Sequence, residues 1–135
     1  MAQEIPEQLY IGRVRLKALI EHEGKVLILR DIKQPHWDLP GGRLHVGEDV
    51  KKGLAREVKE ELGTDIVVEE ALFADISPDD HFAVVFKASL INPEQQFVLA
   101  PDEVNEIRWI TKEQVESASL WDEYKRALNV YFGVV

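Results

Sequence analysis

Residues 13–20, RVRLKALI, open with alternating basic and apolar side chains, the period-two pattern of a strand with one buried face. A polar stretch at 21–24 ends in Gly24, and residues 25–30, KVLILR, predict a second strand and hence a hairpin. Residues 31–36 contain Pro35 and form a loop. Residues 37–42, WDLPGG, are a short extended piece ending in a turn, and 43–46 predict another short strand. From 49 to 62 the period changes: Leu54, Val58 and Leu62 fall on one helical stripe, and Gly63 is a C-terminal stop. Residues 66–76 and 82–91 predict two long strands joined by a polar loop, SPDDH, at 77–81. Further strand pieces are expected at 97–99 and 106–110. From Lys112 onward the chain predicts a helix with Leu120, Trp121, Tyr124 and Leu128 on one face. Strands, helix, strands, helix, with links too short for crossovers, predict an α/β (α+β) sandwich on a mixed sheet rather than a doubly wound parallel one.

Composition narrows the function classes. The 135 residues suit one domain, 1–135, with no linker and no repeat. There is no cysteine, which removes disulfides, thiolate metal sites and a cysteine nucleophile. The start, MAQEIPEQ, lacks the basic and apolar segments of a signal peptide, and no apolar run is long enough for a membrane span, so a cytoplasmic protein is expected. Twenty-five acids against 16 bases give a net charge of −9, which opposes binding to nucleic acid or an anionic membrane. An acidic chain that handles phosphates needs a cation between itself and the substrate.

Glu57, Glu60 and Glu61 stand at i, i+3 and i+4 of the predicted helix and project from one side. Like charges at that spacing repel by a few tenths of a kcal/mol. Hard carboxylate oxygens gathered there suit Mg²⁺ or Mn²⁺. Arg56 can reach Glu60 and hold a carboxylate in a ligand-ready orientation. The alternative is the solvated acidic face of an amphipathic helix.

The surrounding spacing bears on that choice. Residues 42–64 follow G-x5-E-x7-R-E-U-x-E-E-x-G-U, where U is a bulky aliphatic residue, with Gly42, Glu48, Arg56, Glu57, Val58, Glu60, Glu61 and Gly63 all in place. Seven fixed letters arise by chance on the order of a few times in a billion per starting position. The segment resembles the Nudix box, the signature of the Nudix hydrolase family. Thr64 departs from it, standing where the family usually has an aliphatic residue. WDLPGG looks like the family's lead-in to the box, and residues 103–110, EVNEIRWI, are similar to its late acidic-to-Trp strand.

The resemblance implies an α/β/α sandwich with a mixed β-sheet. It implies that Glu57, Glu60 and Glu61 bind metal, that Gly42 lends a backbone carbonyl, and that Arg56 and Glu48 orient the ligands. It implies a further acid outside the box, as ligand or general base: Glu103 first, Glu106 and Asp79 behind it. The reaction implied is hydrolysis of the diphosphate in a nucleoside diphosphate derivative, dependent on Mg²⁺ or Mn²⁺. The short chain before the first strand is similar to the compact members that act on nucleoside triphosphates, canonical or oxidised. Pro78, fourteen residues past Thr64, keeps ADP-ribose or a nucleotide sugar open, although an ordinary loop proline explains it. Many relatives are dimers, which leaves a homodimer open. Nucleotide-sensing domains that do not cleave usually lack box glutamates, and all are present here. The isopentenyl diphosphate isomerases share the fold but use a cysteine.

Arg30, ending the second strand, is a candidate for substrate phosphate, and Trp37 for stacking on a base. Arg13, Arg15 and Lys17 share one face and are expected to be solvated. Trp109 and Trp121 are expected in the core, and His22, His36, His45 and His81 on the surface.

Overall fold

The computed structural model describes residues 8–77 and 81–134. Its elements in chain order are β1 (Arg13–His22), β2 (Lys25–Arg30), β3 (Gly41–Arg43), α1 (Val50–Leu62), β4 (Ile66–Ile76), β5 (His81–Leu90), β6 (Glu106–Ile110), a 3-10 turn (Lys112–Gln114) and α2 (Asp122–Phe132). The sheet runs β4-β5-β1-β2-β6, with β3 paired to β1. It is mixed, because β1 and β5 are parallel while the other pairings are antiparallel. Glu23 and Gly24, both at positive φ, close the β1–β2 hairpin, and the pairing of His22 with Lys25 carries β1 beyond the expected boundary at 20.

Alternation along β1 divides the core. Leu16, Ala18 and Ile20 face α1 and meet Leu54, Val58 and Leu62. Leu19 faces the other way, with Val26, Ile28, Val85, Tyr124 and Leu128 beneath α2. One helix on each face of the sheet gives the expected sandwich. No helix among the described residues is long and apolar enough to cross a membrane.

Three local expectations change. The short strand after the Pro-Gly-Gly turn is Gly41–Arg43, not 43–46, because residues 41–43 pair with Lys17, Leu16 and Arg15. Residues 97–99 join no strand. Val98 and Ala100 instead donate their backbone N–H groups to the carbonyls of Leu62 and Glu61 at 2.9 Å each, satisfying the open end of α1. The last helix begins at Asp122 rather than near Lys112: Leu120 bridges to Trp37, and the Trp37 N–H donates to the Ser119 carbonyl at 2.6 Å, which pulls this stretch straight.

Candidate active site

Helix α1 is fixed at both ends. Asp49 caps it, its side chain accepting from the Lys52 N–H at 2.9 Å, and Gly63 ends it in the left-handed conformation at φ 66°. Leu54, Val58 and Leu62 bury one stripe, so the glutamates rotate toward the sheet edge where β3 lies. Glu57 and Glu61 there face the same cavity, about 780 Å³ in volume, as Gly41 and Gly42. The backbone at Gly42 presses so closely on the Glu57 carboxyl that a Cβ would stand 2.5 Å from its Cδ. Gly41 donates its N–H to Glu61 Oε1 at 2.7 Å. The two glycines let the turn lie directly on the carboxylates.

Glu60 is not brought together with them. Its carboxylate is largely exposed and takes a 3.0 Å ion pair from Arg56 Nη1. Arg56 works as a clamp, also contacting Glu48 at 2.8 Å and Glu57 at 3.2 Å. Its hydrogen bonds hold the Glu48 carboxyl below the usual range. Gly53, buried near the start of the helix, makes that reach possible, since a Cβ there would meet the Glu48 Cδ at 2.6 Å.

Electrostatics set Glu61 apart. Burial pushes its carboxyl up to about 8 against the pull of Lys17 and the Gly41 N–H, with Asp38 and Glu57 adding like charge. Among the described residues no three acidic or histidine side chains already stand in a metal-ligating array. The donor set nonetheless fits a hard dication. Two carboxylates and a glycine turn share a concave wall, and the deeper carboxylate lacks sufficient positive charge.

The opposite wall revises several expectations. Lys17 is not solvated but 5% exposed, paired with Asp38 at 3.1 Å and donating to the Leu39 carbonyl at 3.2 Å. Asp38, Tyr124 and Glu61 outweigh its burial and raise its pKa. Arg15 lines the cavity, with Nη2 3.3 Å from His81 Nε2; His81 is itself buried, not on the surface. Arg30 also lines the cavity, tied to Glu106 at 2.8 Å. That pairing occupies Glu106, one of the candidate acids. Glu103 is exposed on a turn and lines the cavity with Asp102. Asp79 and Pro78 lie outside the described residues.

Trp37 does not present a face to a base. It is 4% exposed, with the guanidiniums of Arg30 and Arg108 at 4.8 and 4.7 Å from its ring centroid. Trp121, expected in the core, is 36% exposed on the cavity rim, and Trp109 is half-buried beside Phe97. Thr64, the departure from the box, is fully buried, and its hydroxyl has no partner among the described residues. The sequence reading took Lys17 as solvated and passed over Asp38 and Gly53. For Lys17 the signal was present: a lone base inside the apolar run LKALI, which a sheet interior tolerates only with a partner.

Comparison with known proteins agrees with this geometry. A MutT-like protein from Streptomyces ambofaciens is 27% identical over 97 residues, 72% of this chain and 62% of that protein. An ADP-ribose pyrophosphatase from Methanocaldococcus jannaschii is 35% identical over 69 residues, 49% of this chain and 41% of that protein. The alignments thus span less than two-thirds of either relative. In fold, the crystal structure of the MutT protein from Methanosarcina mazei Go1 matches with a TM-score of 0.76 at 23% identity, over 92% of this chain and 95% of that one. The NUDIX domain family matches residues 13–131, a span that takes in the whole sheet, the clamped glutamate helix and the cavity they enclose. The chain belongs to the NUDIX family.

Proposed function

We propose that this chain, acting as one domain over 1–135, is a pyrophosphohydrolase that splits the diphosphate of a nucleoside diphosphate derivative, a nucleoside triphosphate in the first instance. The observation that carries the reading is the cavity itself. Glu57, Glu61 and Gly42 form one wall, and Arg15, Arg30 and Arg43 face the same space. Acid for a cation and guanidinium for phosphate thus stand together, at a volume suited to a nucleotide.

Glu57, Glu61 and the Gly42 carbonyl would hold Mg²⁺ or Mn²⁺, joined by Glu60 once it leaves Arg56. When bound, such a cation neutralises the diphosphate and lowers the pKa of the attacking water. Arg15, Arg30 and Arg43 pair with outer phosphate oxygens and fix the chain of phosphates for in-line attack. The Arg30 guanidinium keeps its place because Trp37 backs it and Glu106 tethers it. Glu103, exposed and beside the cavity, accepts the water's proton. Arg56 and Glu48 orient Glu57.

The relative named as an ADP-ribose pyrophosphatase favours a second reading, hydrolysis of ADP-ribose or a nucleotide sugar in the same cavity. A turnover screen of the purified protein separates the two. It covers canonical and oxidised nucleoside triphosphates, ADP-ribose, nucleotide sugars and dinucleoside polyphosphates, each with and without Mg²⁺ or Mn²⁺. Metal-dependent release of a nucleoside monophosphate is expected; no turnover of any substrate overturns the reading.

A further inference from the structure

The β1–β2 ladder is confined to the hairpin end, where Glu21 pairs with Val26 and His22 with Lys25. Farther along, the two strands part and residues 38–43 lie in the opening. Gly41–Arg43 pairs with β1, and the Ala18 N–H donates to the Pro40 carbonyl at 2.8 Å. Asp38 exchanges two backbone hydrogen bonds with Leu29 of β2, at 2.7 and 2.9 Å. Backbone contacts alone thus hold this wedge on both sides.

Lys17 reaches into the wedge from β1. Its ammonium donates to Asp38 Oδ2 at 3.1 Å and to the Leu39 carbonyl at 3.2 Å, and the centre of the buried Tyr124 ring lies 5.6 Å away. An apolar side chain would pack against Tyr124 without the cost of desolvating an ammonium. What the lysine brings is charge. A carboxylate and a backbone carbonyl are the oxygens a hard dication takes, and here they surround an ammonium at hydrogen-bond distance. The same charge reaches Glu61, on which Asp38 and Glu57 bear as like charges. All four side chains line one cavity.

We propose that the Lys17 ammonium is a built-in cation. Beside Asp38 and Glu61 it fills the place of a second dication, so that without nucleotide the Glu57–Glu61 wall takes up one divalent ion, not two. A permanent charge there keeps the deep carboxylates compensated at any metal concentration. The inference rests on the reading of Glu57 and Glu61 as metal ligands, and its test separates the two.

Mn²⁺ binding is measured without nucleotide, by the paramagnetic resonance signal of free Mn²⁺ and by calorimetry. The proteins compared are the wild type, Lys17→Met, Lys17→Gln, Asp38→Asn and the double variant Lys17→Met/Asp38→Asn. Methionine keeps the apolar stem of lysine, and glutamine keeps an N–H donor for the Leu39 carbonyl. The wild type should bind one ion. Each neutral Lys17 variant should bind a second, about tenfold or more tighter than any second ion on the wild type. Losing Asp38 as well should return the count to one.

Two tight ions on the wild type overturn the inference, whether or not the variants fold. So do neutral variants that bind one ion with unchanged or weaker affinity, the result expected of a lysine that merely braces the wedge; the metal reading then stands. If the wild type binds no Mn²⁺ while Lys17→Met binds one that Asp38→Asn abolishes, the metal reading of Glu57 and Glu61 fails and the built-in cation stands. No binding by any of the proteins overturns both. Should neither neutral variant fold, Asp38→Asn decides: it leaves the ammonium unopposed, so the single ion should bind about tenfold more weakly than to the wild type. Unchanged affinity there overturns the inference.

Discussion

The two ends of the cavity present the same side chain in opposite settings. Glu61 lies in the last turn of α1, at the negative end of the helix dipole, and two further acids stand near it. Glu123 lies in the first turn of α2, where the N–H end is positive. Position within a helix, rather than residue type, therefore sorts the cavity's carboxyls. One gathers like charge around a buried carboxyl; the other stands where its helix favours a negative group.

The strongest way to break this comparison is to remove charge at the cation end. Glu61→Gln should lower kcat by about a thousandfold or more while thermal unfolding shows an intact fold, since a lost ligand carboxyl removes the cation's anchor. Near-wild-type turnover would end the ligand assignment. Glu60→Gln sharpens the contrast: Glu60 must give up its Arg56 pair to join the cation, so its loss should cost less than that of Glu61. Equal losses would show that the Arg56 pair sets no difference between the two carboxylates.

Arg56→Lys should weaken metal affinity by roughly 10- to 100-fold, because a point charge cannot hold Glu48, Glu57 and Glu60 together. Calorimetric titration with Mn²⁺ reads this directly.

The pH dependence of the metal-free protein is a subtler test. The folded state keeps the Glu61 proton up to about pH 8, whereas the unfolded chain gives it up near 4.5. Unfolding therefore releases a proton in that window, and the contribution of Glu61 to stability falls as pH rises from about 4.5 to 8. Glu61→Gln should flatten this slope in chemical denaturation curves. Saturating Mn²⁺ should stabilise the wild type most at the alkaline end, where no proton competes.

The smallest effect is expected from Gly53→Ala. Alanine favours the helix by up to about 1 kcal/mol, but its Cβ would displace Glu48 from Arg56. Global stability should change little, and Mn²⁺ affinity should fall a few-fold.

How much of this was readable before folding follows from the reach of each signal. The box helix was legible to within one residue at its start and down to its Gly63 stop, because that glycine and the Leu54–Val58–Leu62 stripe act within a few residues of one another. The alternation in β1 and the apolar run of β2 were legible for the same reason. Lys17 was misread because its partner Asp38 lies 21 residues away, on a segment whose path depends on β3. Trp37 and Trp121 were misread together: the pairing of Trp37 with Leu120 buries the first and leaves the second on the rim. No periodicity within one element reports such a pairing.

The strap across the end of α1 has a mechanical consequence. Ala100 bonds to the carbonyl of Glu61, and the Val104 N–H returns to Ala100, so a tight coil carrying Glu103 hangs from the backbone of a residue proposed to grip metal. Any shift of that grip is handed on to the residue proposed to take the proton. One residue inserted between Ala100 and Glu103 would slip that transmission while leaving the helix sealed.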